Sequence, residues 1–228
     1  MPQHEPSALL HTVEIIHWIA LGIMGVVYSI RVWWLLRFRA TRDRQAPGNP
    51  ERTNARKGAL YSLANVAMPW AMESTRRKPL FYATFVLFHL GVVAGISLAF
   101  LSSLAPDLVA SPAYAALSGA LLAVAFVVAV GRIVRRLTTP YLRLISSPDD
   151  YFSVIMLTFW FALGVLAQLY LAGVVQGEGF LVAFLIATSF FLIYVPFSKI
   201  SHYLYYPFTR YWLGRTLGHR GSMPSVRA

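Results

Sequence analysis

The sequence predicts an all-α integral membrane protein, a bundle of five transmembrane helices, and three observations support this fold class. Hydrophobic residues make up 57% of the 228 residues and only 13% are charged, against about 25% in an average soluble domain. The apolar residues form five long runs, each able to provide the roughly 20 residues that cross a hydrocarbon core. The Lys and Arg residues are concentrated in alternate connections between these runs. A water-soluble fold of this length could not bury so much apolar surface in one core.

The five predicted helices belong to one membrane domain that covers residues 1–228. No basic segment precedes the first apolar run and no small-residue cleavage site follows it, so we interpret it as a retained helix. Asp149 and Asp150 precede the fourth run, where negative charge stabilises a helix N-terminus. The predicted transmembrane helices comprise residues 9–36, 80–104, 113–134, 151–175 and 180–206.

Positive charge predicts the orientation of these helices. Half of the 20 Lys and Arg residues lie in loop 37–79, and others lie in segment 132–143 and after residue 206. The N-terminal segment and the connections 105–112 and 176–179 contain none. Because cytoplasmic loops carry an excess of Lys and Arg, we expect the N-terminus outside and the C-terminus in the cytoplasm. This distribution accounts for the net charge of +11 without nucleic acid as a partner.

Loop 37–79 is predicted to be basic and cytoplasmic, and its second half is more than a linker. Between Gly58 and Met72 apolar residues return at near-helical spacing, and Pro69 limits how far a regular helix can run. This pattern predicts a short amphipathic segment at the inner membrane interface, with Trp70 as an anchor. Topology explains the basic cluster 76–78, which is also compatible with docking of an acidic cytoplasmic subunit.

Two histidines within the apolar runs are predicted to lie at similar depth. Ionisable residues in a membrane are costly and usually functional. His89 lies eleven residues after Lys78, roughly 16 Å from the inner charged edge. His202 lies eight residues before Arg210, roughly 12 Å from that edge. Two neutral imidazoles on two helices can ligate one haem iron from both faces. Each could instead make an interhelical hydrogen bond, and spacing alone does not identify a haem.

Two further features would shape such a site. Gly91, Ala94 and Gly95 follow His89 closely, and such small residues would let a flat ring approach the helix backbone. Lys199 lies one helical turn before His202 on the same face. Its ammonium group either extends along the helix to the inner interface or pairs with an acidic group of a cofactor, which would make Lys199 a neighbour of the haem or of a quinone.

His17 and Glu14 form a second candidate site, in the outer half of the first predicted helix. His17 could ligate a second haem. It could instead hydrogen-bond a quinone carbonyl, with Glu14 taking up or releasing protons. A structural pair without any ligand is the third interpretation, and the sequence leaves the three open.

Sequence motifs around the two deeper histidines carry a family resemblance. The first reads Pro-Trp-Ala-Met-Glu-Ser-Thr-Arg-Arg-Lys-Pro-Leu (69–80) and continues as Leu-Phe-His-Leu-Gly (87–91). The second reads Pro-Phe-Ser-Lys-Ile-Ser-His-Tyr-Leu-Tyr-Tyr-Pro-Phe-Thr-Arg-Tyr (196–211), and Ser-Pro-Asp-Asp-Tyr-Phe (147–152) opens the fourth helix. Over all five helices the chain resembles the gamma subunit of respiratory nitrate reductase and its relatives in membrane complexes of the heterodisulfide-reductase type.

The resemblance implies a cytochrome b subunit of the prokaryotic cytoplasmic (inner) membrane, rather than an enzyme by itself. His89 and His202 match the ligands of the family's inner haem. The family's outer pair falls at Ala99 and Phe184, which cannot bind iron, so one haem b is expected. The resemblance implies electron transfer between menaquinone or ubiquinone and a cytoplasmic iron–sulfur or flavin subunit. The chain has no cysteine, so it supplies no thiolate for an iron–sulfur cluster.

Two other functions compete with electron transfer. A chain that keeps the fold without the cofactor would be a haem-free membrane anchor for a cytoplasmic complex. A transporter is disfavoured, because transporters commonly contain internal repeats or paired broken helices, and the sequence shows neither.

Overall fold

A computed structural model describes residues 7–38, 44–46 and 53–221, and within these ranges the chain is helical and contains no strand. Short 3₁₀ turns at Asn65–Ala67, Val195–Phe197 and Lys199–Ser201 supplement the α-helices. The α-helices are α1 Ala8–Arg37, α2 Ala55–Ala64, α3 Glu73–Arg77, α4 Pro79–Leu104, α5 Pro106–Ala110, α6 Pro112–Thr138, α7 Pro140–Ile145, α8 Pro148–Leu171, α9 Gly179–Tyr194 and α10 His202–His219.

Five of these helices are long and apolar enough to cross a membrane: α1, α4, α6, α8, and α9 with its continuation to Phe197. This confirms the prediction of five spans. Large apolar side chains such as Ile19, Val93 and Val127 are exposed along them. Such exposure suits contact with lipid, because lipid tails are as apolar as these side chains.

Proline marks the start of half of the α-helices named above. A proline occupies the first position of α4, α5, α6, α7 and α8, where its missing N–H leaves no intrahelical hydrogen bond unmade. At the start of α8 the backbone N–H of Ser147 donates to the Asp150 carboxylate at 2.8 Å. The Tyr194 hydroxyl donates to Asp149. The predicted capping role of the acidic pair is therefore confirmed for Asp150.

The fifth span is shorter than the predicted helix 180–206. Helix α9 ends at Tyr194, a 3₁₀ turn follows, and Ser198 is extended. Pro196 explains this end, because proline has no N–H for the helix and clashes with the preceding turn. Helix α8 likewise ends before the predicted residue 175, since Gly173 adopts a φ of +73°. A left-handed residue of this kind commonly terminates a helix.

The described residues divide into two compact units, and the single membrane domain stays a prediction. The first comprises the described parts of Met1–Ser29 and Ala83–Lys199, and the second those of Ile30–Tyr82 and Ile200–Ala228. The first unit has a dense apolar core in which Leu98, Leu122, Phe161 and Phe184 are fully buried. Polar side chains within it are paired: the Trp160 indole N–H donates to Thr188 Oγ1 at 2.8 Å.

The second unit is built on close packing of α2 against α10. Their contact is made by Gly58, Gly214 and Gly218, and a Cβ added at Gly58 would lie 2.4 Å from the Gly214 carbonyl oxygen. Arg210 Nε donates to the Ser62 carbonyl at 3.0 Å across the same contact. The segment predicted to be amphipathic therefore includes a helix that packs on the protein. Trp70 is 66% exposed, and its role as a membrane anchor stays a prediction.

This packing predicts that the same substitution, glycine to alanine, changes stability at Gly58 but not at Gly22. Gly58→Ala should lower the free energy of unfolding by about 1–3 kcal/mol, because the new methyl group collides with backbone atoms that have no room to move. Gly22→Ala is the matched control, since nothing lies within 4 Å of its added Cβ, and it should be neutral or slightly stabilising. Thermal unfolding of both variants in detergent measures the difference. Equal melting temperatures would contradict the close α2–α10 contact.

Candidate cofactor site

His89 lies in the middle of α4 and is half-buried. Its Nδ1 is 2.8 Å from the carbonyl oxygen of Phe85, one turn earlier in the helix. A carbonyl oxygen only accepts hydrogen bonds, so Nδ1 carries the proton and Nε2 carries the lone pair. Imidazoles that ligate metals typically donate their other N–H to such a carbonyl, which fixes tautomer and ring orientation. The structure therefore holds His89 in the form that iron ligation requires.

Aromatic rings and one guanidinium surround this imidazole. The ring centroids of Phe85 and Phe88 lie 4.3 Å and 5.7 Å from that of His89. The guanidinium carbon of Arg132 lies 4.3 Å from the centroid of the Phe88 ring, an attractive arrangement of a cation over an aromatic face. A positive charge is therefore held beside the residue that precedes His89.

The small residues after His89 do not serve the role predicted for them. A Cβ added at Gly91 would lie 2.1 Å from Ala125 Cβ, and one at Gly95 would lie 2.4 Å from the Trp160 ring. Ala94 is buried as well. The prediction that a flat ring approaches the helix over these residues is wrong, because α6 and α8 side chains occupy that space.

His202 is placed differently from its prediction. It is the first residue of α10 and is exposed, and it lies beyond Phe197, where the fifth span ends. The depth of His202 was counted back from Arg210, and residues 202–210 are indeed helical, but α10 is not one of the five candidate spans, so the depth stays a prediction. His202 belongs to the second compact unit and His89 to the first. Their joint ligation of one iron stays a prediction.

Lys199 pairs with protein groups. Its Nζ donates to Ser147 Oγ at 2.8 Å and to the Asp150 carboxylate at 2.9 Å, and its side chain is 60% exposed. The ammonium thus joins the end of the fifth span to the N-terminus of α8. The acidic partner of Lys199 in the structure is therefore Asp150, where the sequence had allowed an acidic group of a cofactor.

Ala99 and Phe184 match the outer ligand positions of the family, and both are fully buried. The Phe184 ring stacks on Trp160 with a centroid distance of 5.6 Å and an interplanar angle of 23°. Gly164 approaches the same ring closely enough that an added Cβ would lie 3.2 Å from it. This region is filled by apolar side chains.

His17 is the most deeply buried titratable side chain in the described ranges, at 1% exposure. Its Nδ1 lies 3.4 Å from Ser189 Oγ of α9, and the Phe100 ring of α4 lies 5.1 Å away between centroids. Its Nε2 has no hydrogen-bond partner among the described residues. Glu14, one turn earlier, accepts a hydrogen bond from Ser103 Oγ at 2.8 Å. Sequence reasoning missed Ser189, Phe100 and Ser103, because ordinary residues of apolar helices give no signal of their partners.

No group of three or more His, Cys, Asp or Glu residues that could hold a metal occurs within the described parts of the chain. A haem would require only axial ligands from the protein, because the porphyrin supplies four.

The fold defines the class of this chain as a multi-pass α-helical membrane protein. The chain is 27% identical over 203 residues to a curated protein of Nitratidesulfovibrio vulgaris (strain Hildenborough), described only as "Protein". The alignment covers 86% of this chain and 88% of that relative. No family model matches the sequence, and no solved structure matches it.

Proposed function

We propose that this chain is a b-type cytochrome of a prokaryotic cytoplasmic membrane, the electron-carrying subunit of a quinone-linked redox complex. When bound, haem b supplies one-electron redox chemistry. The observation that carries the proposal is the geometry of His89, whose Nδ1–H is held by the Phe85 carbonyl at 2.8 Å. This hydrogen bond presents the Nε2 lone pair at a fixed orientation, as an axial ligand requires.

The surroundings of His89 support a haem as its ligand. Phe85 and Phe88 provide apolar contacts beside the imidazole. Arg132, held over Phe88, provides a positive charge that would stabilise an anionic propionate. The proposal assigns the second axial position to His202, on the basis of the family resemblance.

One haem per chain is the expected content. The outer ligand positions are occupied by Ala99 and Phe184, which carry no imidazole and are fully buried. Inserting a second porphyrin there would require Trp160 and Phe184, which now stack on each other, to leave the core. Large aromatic side chains contribute strongly to core stability, so their displacement is unfavourable.

The basic side of the chain is the proposed docking surface for the redox partner. The distribution of Lys and Arg favours an N-terminus outside and a C-terminus in the cytoplasm. Arg76, Arg77 and Lys78 are exposed at and just after α3. An acidic cytoplasmic subunit that carries an iron–sulfur cluster or flavin would be attracted to this surface. Electrons would pass between this partner and a membrane quinone, menaquinone or ubiquinone.

A haem-free anchor is the second candidate function, and the position of His202 favours it. His202 is exposed and lies outside the fifth span, whereas a haem ligand within the membrane is expected on a span. An anchor would use the same five spans and the same basic surface without any cofactor.

The visible absorption spectrum of the purified, dithionite-reduced chain separates the two candidates. We expect sharp b-type bands, and a pyridine haemochrome titration should give one haem per chain. A featureless spectrum from protein purified out of haem-replete cells would support the anchor. A ratio of two haems would show that another residue, with His17 the first to examine, also ligates iron.

A further inference from the structure

His17 has a buried nitrogen that the proposed haem site does not use. The imidazole lies between α1, α4 and α9 at 1% exposure, and Nε2 has no hydrogen-bond partner among the described residues. Buried polar atoms are nearly always hydrogen-bonded, so an isolated exception calls for a missing partner. An ionisable side chain within a membrane span is by default a candidate functional site.

The neighbours of His17 determine which kind of partner Nε2 can take. Ser189 Oγ donates its single proton to the Leu185 carbonyl at 2.8 Å. Toward His17 Nδ1, at 3.4 Å, the same oxygen therefore acts as an acceptor. Nδ1 then carries the imidazole proton, and Nε2 is left with a lone pair. The missing partner must donate a hydrogen bond to Nε2 or bind it as a metal.

The aromatic side chains around His17 suit a single ring better than a porphyrin. The Phe100 centroid lies 5.1 Å from that of His17, and the Trp18 centroid lies 5.8 Å from that of Phe100. Ala99 and Phe184, which belong to the same core, are fully buried. A single aromatic ring can stack among such side chains, whereas a porphyrin requires an open plane several times wider.

The route to this imidazole runs through lipid. Trp18, the neighbour of His17, is 39% exposed on the apolar surface of α1. Phe100 is only partly buried. The rings of Trp18 and Phe100 both contact the imidazole, so these two side chains lie between it and the lipid-facing surface. The site lies toward the N-terminal end of α1, the end without Lys or Arg. A lipid-soluble, aromatic ligand that carries a hydroxyl group fits these surroundings.

We propose that His17 Nε2 accepts a hydrogen bond from a hydroxyl group of a lipid hydroquinone, bound beside Phe100 and Trp18. The identity of the ligand rests on the proposed function, since a quinone-linked cytochrome needs such a site. Of the three interpretations that the sequence left open for His17, this is a form of the quinone site, with the imidazole accepting from a hydroxyl group instead of donating to a carbonyl. Glu14, held by Ser103 at 2.8 Å, lies one turn nearer the helix N-terminus as a second acceptor.

The test compares a redox pair that differs only in its hydroxyl groups. Duroquinol and duroquinone are titrated anaerobically into the full chain in quinone-free phospholipid nanodiscs, and binding is followed by calorimetry. We expect wild type to bind duroquinol at least about tenfold more tightly than duroquinone, since a buried acceptor left unpaired disfavours the form that cannot donate.

His17→Phe should abolish this preference. His17→Gln should retain part of it, because its side-chain carbonyl accepts hydrogen bonds. His11→Phe, at an exposed position of the same helix, should behave like wild type.

Two outcomes would overturn the inference. Equal affinity of wild type for the two compounds would remove the need for an acceptor at His17. A loss of bound haem in His17→Phe would show that Nε2 ligates iron. If His17→Phe fails to fold, Ser189→Ala provides the test: without its oxygen the Nδ1 tautomer is no longer favoured, so the preference for duroquinol should fall. The titration measures the affinity for duroquinol and duroquinone and does not depend on haem. A chain without haem would therefore refute the proposed function, and the preference for duroquinol could still be measured.

Discussion

The His89→Ala variant is expected to fold as a helical membrane protein and to lose nearly all of its b-type absorption. The imidazole is the only side chain in the middle of α4 that can ligate iron, and its hydrogen bond to Phe85 fixes the orientation of Nε2. Removing an axial ligand takes away the bond that holds haem in an otherwise apolar site. Absorption spectra of the reduced variant and wild type, normalised to protein concentration, measure the loss.

Controls separate loss of a ligand from loss of fold. His11→Ala removes an exposed imidazole from α1 and should leave the spectrum unchanged. His89→Gly offers a space for added imidazole, which should restore part of the b-type absorption if the side chain acts as a ligand. An His89→Ala protein with a wild-type spectrum would show that another residue binds the iron.

Trp160→Ala is expected to cause the largest loss of stability among the substitutions considered. The indole is 3% exposed, stacks on Phe184, contacts Gly95 and donates to Thr188 at 2.8 Å. Truncating a buried tryptophan commonly costs about 3–5 kcal/mol, from lost contacts and the cavity left behind. Unfolding of the purified chain in a mixed detergent series, followed by circular dichroism, measures the change.

The same substitution at Trp70 is the matched control. Trp70 is 66% exposed, so Trp70→Ala should change the free energy of unfolding by no more than about 0.5 kcal/mol. Thr188→Val separates the hydrogen bond from the packing and should cost about 1 kcal/mol. Similar losses from Trp160→Ala and Trp70→Ala would contradict the packed core of the first unit.

Hydropathy predicted the membrane helices because length and apolar composition are local properties of the sequence. The four spans before the last agree with their predictions to within a few residues. The fifth was predicted too long because Pro196 lies within an otherwise continuous apolar run. Proline ends the helix because it lacks a backbone N–H and clashes with the preceding turn. A hydropathy profile reports only how apolar the side chains are, so it does not detect this helix end.

The candidate site was less predictable because it depends on tertiary partners. The sequence singled out His89 and His17, but it could not show which group each Nδ1 faces, the Phe85 carbonyl for His89 and Ser189 Oγ for His17. The role of Gly91 and Gly95 was misassigned, since small residues serve close helix packing as readily as cofactor binding. The glycine contact between α2 and α10 was also missed, because no local pattern links Gly58 to residues far away in the sequence.

The central claim is that this chain binds one haem iron through His89. Electron paramagnetic resonance of the purified, oxidised chain tests it most directly, because the spectrum reports both the presence of ferric haem and its axial ligands. We predict one low-spin haem per chain with two imidazole ligands, which is lost or converted to high spin in His89→Ala. A wild-type chain without ferric haem, or a low-spin signal that persists without His89, would contradict the claim.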